Sequence, residues 1–259
     1  MIIDLPAAWS GATAADSPVV VFGNSLGTLR SAWSAQVEHL SSRARVLTFD
    51  LPGHVRDGGA FDFDDIVESV AALLKRNGVQ GAIYCGVSLG GALGVALAAR
   101  HPVLVSTLVV INAPIAQSSA AFWLDRADAV ERDGLGALAD SLASRWFTPE
   151  APAEMVDPIV RDFRSLPPRG YAASCRALAT LDVRADAESV SQPTTVLSGV
   201  RDLAVDPANS RELVAAIPGA VLRSVDAPHL LPVERADELD RVLDEILVGL
   251  DRPMKESVR

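Results

Sequence analysis

The segment Gly86-Val87-Ser88-Leu89-Gly90-Gly91 places a serine between glycines two positions away on either side. Before it, Gly81-Ala82-Ile83-Tyr84-Cys85 reads as a short buried strand. After it, Ala92 to Arg100 is rich in Ala and Leu, has no breaker beyond Gly94, and reads as a helix. A strand, a tight turn and a helix in that order make a nucleophile elbow, in which a strained turn exposes the serine hydroxyl and only small neighbours leave it room. Ser88 is therefore the expected nucleophile. A serine in a merely structural Gly-rich turn is the alternative, and the flanking pattern weighs against it.

A serine hydroxyl needs a base, and for an elbow of this kind the partners follow in the order Ser, acid, His. The chain has four histidines. His39 falls in an amphipathic stretch, His54 follows Pro52-Gly53, and His101 precedes Pro102 at a helix end, so these three read as surface or turn residues. His229 lies in Asp226-Ala227-Pro228-His229-Leu230, between the strand-like Ala220 to Ser224 and a terminal helix Arg235 to Leu250, and is the expected general base. The acid belongs after the preceding strand, Thr194 to Gly199. Asp202 is assigned to orient the imidazole; Asp206 is the near competitor, although Asp206-Pro207 also reads as an ordinary helix start. Asn112, at the end of the strand Thr107 to Ile111, offers no carboxylate.

Acyl transfer also needs donors for a developing oxyanion. The Leu89 N–H, next to the nucleophile, is one. The second is expected from Gly23-Asn24-Ser25-Leu26-Gly27, which follows the apolar strand Pro18 to Phe22; set against the His-Gly-x pattern of such loops, Asn24 and Ser25 take the place of His-Gly and the Leu26 N–H is the donor, with Ser25 beside it at the substrate and a merely Gly-rich turn as the alternative.

The elements that must hold these residues fit one α/β domain of 259 residues, with no Gly/Ser linker or long charge run to divide it. Between Pro114 and Gln192-Pro193 no convincing strand occurs. That interval reads as short helices, Ala120 to Asp133, Leu135 to Trp146, Ala153 to Ser165 and Gly170 to Leu181, with Gly134, Pro149, Pro158 and Pro167-Pro168 at the breaks. Residues 1–113 and 192–259 are thus expected to form the core, and 114–191 a helical cap over the elbow.

Two cysteines build no disulfide framework, and Cys85, on the strand into the elbow, is expected to be buried and inert. No run of about 18 apolar residues occurs, and the N-terminus lacks the basic-then-apolar pattern of an export signal, so a cytoplasmic protein is expected. A formal charge of −10 argues against nucleic acid or an anionic membrane surface as partner. No cluster with metal-ligand spacing and no phosphate-binding Gly-rich loop is present, so no metal or organic cofactor is implied.

The order of elements, the elbow, Asp202 and His229 resemble the α/β-hydrolase superfamily, whose fold is a mostly parallel sheet flanked by helices with a helical cap insertion. Within it, Gly23 to Thr28, Cys85 to Gly91, Arg145-Trp146-Phe147-Thr148-Pro149 and Gly170-Tyr171-Ala172-Ala173-Ser174-Cys175 resemble 3-oxoadipate enol-lactonases. After Asp50-Leu51-Pro52-Gly53-His54, where relatives continue with Gly and soon a Ser, this chain has Val55-Arg56-Asp57-Gly58-Gly59. The resemblance implies opening of 3-oxoadipate enol-lactone to 3-oxoadipate, a step in bacterial breakdown of aromatic acids, with a small anionic molecule as the partner. That substrate carries a carboxylate, so an acidic protein must offer a local cation. Arg145 and Arg176 are the cap candidates, each with a solvated arginine as the alternative; Trp146 either packs the cap on the body or touches substrate. The rival readings are another small-ester, thioester or carbon–carbon bond hydrolase, a haloperoxidase-like or acyl-transfer enzyme, and a non-catalytic ligand-binding relative.

Overall fold

The computed structural model describes residues 1–57 and 59–250; Gly58 and residues 251–259, the end of the expected core segment, lie outside the described residues. The first half contains β1 (Ala7–Gly11), β2 (Val19–Gly23), α1 (Ser34–Leu40), β3 (Arg45–Phe49), α2 (Phe63–Arg76), β4 (Ala82–Val87), α3 (Leu89–Arg100) and β5 (Val105–Ile111). Five helices follow, α4 (Ala120–Asp133), α5 (Gly136–Trp146), α6 (Ala153–Arg164), α7 (Pro168–Leu178) and α8 (Arg184–Ser189). The chain then returns through β6 (Thr194–Gly199), α9 (Ala208–Ala216), β7 (Val221–Val225), α10 (Leu231–Glu234) and α11 (Ala236–Leu250).

The strands form one seven-stranded sheet in the order β1-β3-β2-β4-β5-β6-β7. Only β1 runs antiparallel, against β3; every other pair is parallel. In β4 all six residues are buried, which suits a strand covered on both faces. The period of two divides them: Ala82 and Tyr84 join the core under α2 and α3, while Ile83, Cys85 and Val87 join the core under α1 and α11. Cys85 is buried, as the sequence suggests, and that burial pushes the pKa of its thiol up. Helix α3 is buried along almost its whole length, so it shows no polar face. Gly94 lets it press on the sheet, since a Cβ there would stand 2.7 Å from the Tyr84 ring.

The consequence for function lies at one edge. Because β2, β4, β5, β6 and β7 are parallel, their carboxyl ends share one side of the sheet, and the loops carrying Ser25, Ser88, Asn112, Asp202 and His229 all leave from there. The sheet ends on that side are roofed by helices from the 114–191 interval.

In the 114–191 interval the helices depart from the sequence reading. Helix α7 starts at Pro168, a residue suited to a first turn, and stops at Leu178. Helix α6 runs through Pro158 instead of breaking there, because Ile159, Val160 and Phe163 are buried and packing outweighs the lost backbone bond. Helix α8 is missing from the reading altogether; its six residues, Arg-Ala-Asp-Ala-Glu-Ser, bury only Ala187 and give no apolar period.

Candidate active site

Ser88 stands between β4 and α3 at φ 58°, ψ −120°, a left-handed position rare for a residue with a side chain. Its neighbours hold it there. The Ser88 N–H donates to the Ile111 carbonyl at 2.8 Å, and the Ser88 carbonyl accepts from Gly91 and Ala92, each at 3.0 Å. A Cβ on Gly86 would lie 2.2 Å from the Gly90 carbonyl oxygen, and one on Gly90 2.2 Å from that of Gly23, so backbone occupies the space any side chain would need. Both glycines are therefore required by contact.

The loop after β2 is locked by Asn24. Its side-chain nitrogen donates to the Phe49 carbonyl (2.9 Å), its oxygen accepts the Trp33 indole N–H (2.8 Å), and its own carbonyl accepts the Gly90 N–H (3.0 Å). Thr28 bonds back to the Ser25 carbonyl through both its N–H and its hydroxyl. The Gly27 N–H donates to His54 Nε2 at 2.9 Å, and His54 Nδ1–H donates to the Pro52 carbonyl at 3.1 Å. Between these tied groups the Leu26 N–H meets no protein acceptor among the described residues. The Leu89 N–H belongs to the first turn of α3, where helical N–H groups lack an intrahelical acceptor. His54 does lie in a turn, but it is 2% exposed rather than on the surface. Burial lowers it to about 4, against the opposing effect of the Pro52 carbonyl, so it stays neutral and accepts from Gly27.

His229 Nδ1–H donates to Asp202 Oδ2 at 2.8 Å, and both side chains are buried. Asp202 Oδ1 takes the N–H groups of Ala204 (2.7 Å) and Val205 (2.9 Å). The carboxylate thus fixes the tautomer, leaving Nε2 as the bare nitrogen facing the cavity. Ser25 Oγ is 3.4 Å from Nε2; Ser88 lines the same cavity without a direct hydrogen bond to the imidazole. Such bonds often close only around substrate. Asp206 is not bound to His229; it caps α9 by accepting from the Ala208 N–H at 2.8 Å.

A cavity of about 200 Å³ opens above these groups, at the small end for ligand sites. Ser25, Leu26, Ser88 and His229 lie along it with Arg145 and Trp146 from the roof. Trp146 is buried and meets Phe163 edge to face, with centroids 5.6 Å apart; its carbonyl accepts the Leu230 N–H, so it both lines the cavity and ties the roof to the His229 loop. Arg145 lines the cavity too, but its Nε and Nη2 are held by the carbonyls of Leu203 (3.0 Å) and Ala204 (3.4 Å), beside Asp202.

Arg176 is a correction. It lies outside this cavity, paired with Glu131 and Asp128 on the outer side of the roof. Tyr171 of the same helix faces the cavity, and five residues further on a helix has turned about 140°, which points residue 176 elsewhere.

Four residues escaped the sequence reading. Asn112, at φ 47°, donates to the carbonyls of Pro228 (3.0 Å) and His229 (2.9 Å) and accepts from the Gly199 N–H (2.7 Å), which joins the ends of β5 and β6 to the His229 loop. An asparagine directly after a buried strand is the signal, since it tolerates positive φ. Glu234 is buried and accepts both the N–H and the hydroxyl of Thr148, fastening the Arg145–Pro149 segment behind His229. His54 reads in the sequence as a surface or turn residue, with no local pattern to mark its burial. Arg126 on α4 lines the cavity, one turn beyond the aromatic pair Phe122-Trp123.

Residues 16–236 match the family model described as alpha/beta hydrolase fold, and the chain belongs to that family. It is similar to 3-oxoadipate enol-lactonase 2 of Acinetobacter baylyi, 31% identical over 239 residues that cover 90% of each chain. A second enol-lactonase of that organism, 3-oxoadipate enol-lactonase 1, is 29% identical and covers 88% of this chain and 87% of its own length. The crystal structure of the enol-lactonase from Burkholderia xenovorans superposes with a TM-score of 0.90 at 34% identity, over 94% of this chain and 96% of the other. Family and relatives together support hydrolase activity. Among the described residues no helix is long and apolar enough to cross a membrane.

Proposed function

We propose that the chain is a serine hydrolase that opens a small carboxylated enol-lactone, 3-oxoadipate enol-lactone, through an acyl-enzyme on Ser88. The observation that carries the chemistry is the convergence of a serine at positive φ and a carboxylate-bound imidazole on one small cavity. The substrate rests on the likeness to the enol-lactonases.

His229, held by Asp202, takes the Ser88 proton as Oγ attacks the lactone carbonyl carbon. Charge developing on the carbonyl oxygen is met by the N–H groups of Leu26 and Leu89. Collapse of the tetrahedral species breaks the ring C–O bond; the oxygen leaves as an enolate, which takes up the proton that His229 removed from Ser88 and becomes a ketone once that proton rests on carbon, leaving His229 neutral. That leaving group is stabilised by delocalisation, so expulsion asks less of the acid than amide cleavage does. His229 then removes a proton from water as that water attacks the acyl carbon, and returns the proton to Ser88 Oγ as the ester bond breaks and the acid is released. Ser25, Arg145 and Trp146 line the substrate space, and the reading carries with it a cytoplasmic location and the place in aromatic-acid breakdown that the resemblance implies.

Parallel turnover on the enol-lactone, a short p-nitrophenyl ester and a carbon–carbon cleavage substrate tests the reading. Preference for the lactone supports it; preference for either of the others replaces it with a general esterase or a carbon–carbon hydrolase.

A further inference from the structure

The sequence pointed to two roof arginines as the cation for an anionic substrate, and the structure gives both other engagements. Arg145 spends donors on the carbonyls beside Asp202, and Arg176 pairs with Glu131 and Asp128 away from the cavity. Arg126 differs from both. It lines the cavity that holds Ser88 and His229, is half-buried, and has no ion-pair partner among the described residues. In a chain with 33 acidic and 23 basic residues, a half-buried guanidinium without a carboxylate is out of keeping with its surroundings.

Its position is fixed all the same. The guanidinium carbon lies 4.5 Å from the ring centroid of Phe122 and 4.9 Å from that of Trp123. The Trp123 ring is itself anchored by its N–H on the Gln117 side chain at 2.6 Å. Contact with aromatic rings satisfies the flat face of a guanidinium and leaves its edge N–H donors for another group. The carboxylate of Asp206, which also borders the cavity, is occupied by the first turn of α9.

We infer that Arg126 is the carboxylate-binding subsite of this cavity, receiving the free carboxylate of the acyl substrate while Ser88 attacks at the other end. The inference rests on the hydrolase reading for its substrate but not for its geometry. The fork of edge donors suits two parallel bonds to one carboxylate, so the subsite selects a planar anion over a neutral ester of similar size.

The test compares kcat/KM for the enol-lactone with that for p-nitrophenyl acetate, and measures inhibition of p-nitrophenyl acetate hydrolysis by adipate, in the wild type and in Arg126→Met, Arg126→Lys, Arg145→Met and Arg176→Met. In Arg126→Met the ratio of lactone to ester efficiency falls about 10- to 150-fold, carried mainly by KM, and the adipate inhibition constant rises by a similar factor. Arg126→Lys keeps the charge without the fork and falls in between. Arg176→Met keeps the wild-type ratio. If Arg126→Met is poorly folded, Arg126→Lys and the adipate measurement decide. Equal loss on lactone and ester, or unchanged adipate inhibition, overturns the subsite; loss of selectivity in Arg145→Met alone moves it to Arg145. A wild type that hydrolyses the ester, ignores the lactone, yet is inhibited by adipate through Arg126 keeps the subsite and discards the lactone.

Discussion

On the floor of the cavity, the loops leaving β2, β4, β5, β6 and β7 meet largely backbone to backbone, whereas the roof built from α4 to α7 reaches the cavity through side chains. On the floor, carbonyl oxygens fill the space a glycine Cβ would need, Asn112 makes three bonds to main-chain groups, and Asn24 makes two such bonds and a third to the Trp33 indole. In the roof, arginines are allotted among carbonyls, carboxylates and aromatic rings by which way each happens to face. Chemistry is thus set by contacts that tolerate little substitution, and selectivity by contacts that exchange readily.

The largest effects belong to the floor. Ser88→Ala and His229→Gln lower kcat by about three or more orders of magnitude, and Asp202→Asn by about four, with the folded circular dichroism spectrum retained. Asp206→Asn, which keeps an oxygen acceptor for the Ala208 N–H and removes only the charge, changes kcat less than tenfold and is measured in the same assay. Gly86→Val and Gly90→Val put a branched side chain where a Cβ already overlaps a carbonyl, so soluble folded protein is lost; wild-type yield and activity in either would disprove the contact argument.

Next come residues that hold the floor without touching substrate. Asn112→Ala leaves the Gly199 N–H and two carbonyls unpartnered and costs about 2 kcal/mol or more by urea unfolding, together with a fall in kcat as His229 loses its backbone anchor. His54 gives a pH signature. Its folded value of about 4 lies below the ordinary 6.5, so the folded chain disfavours the proton. Stability is full above about pH 6.5 and falls by roughly 3 kcal/mol as pH drops toward 4. His54→Gln retains an acceptor for the Gly27 N–H without the titration, so its melting temperature declines less steeply over that window. An identical decline in both proteins would remove His54 as the cause.

The smallest effect belongs to the outer roof. Arg176→Met breaks exposed ion pairs with Asp128 and Glu131 and shifts stability by less than about 1 kcal/mol in a thermal melt.

The same contrast explains what could be read from the sequence. The strand, elbow and helix around Ser88 were legible because the turn imposes its own residue types at fixed spacing, and the sheet because β2, β4 and the second half of β5 are apolar runs. The ends of α4 were legible because Ser119 caps its first turn and Gly134 ends it. The roof was not. Whether Arg126, Arg145 or Arg176 faces the cavity depends on the rotation of each helix about its axis, which packing among Trp146, Phe163 and Tyr171 sets and no local spacing records. Asn112 and His54 escaped for a related reason, since their partners lie 116 and 27 residues away in sequence.

The central claim is that Ser88, and no other hydroxyl, carries the acyl group. Ser25 lies near the same imidazole and is the natural competitor. Rapid quenching during turnover of the enol-lactone, followed by peptide mass spectrometry, separates the two. A lactone keeps its leaving group tethered, so the acylated peptide must gain the mass of the whole lactone, whereas a p-nitrophenyl ester transfers the acyl part alone. The account predicts that full-lactone gain on the peptide containing Ser88, and its disappearance in Ser88→Ala. Turnover without any adduct, or an adduct on Ser25, would contradict it.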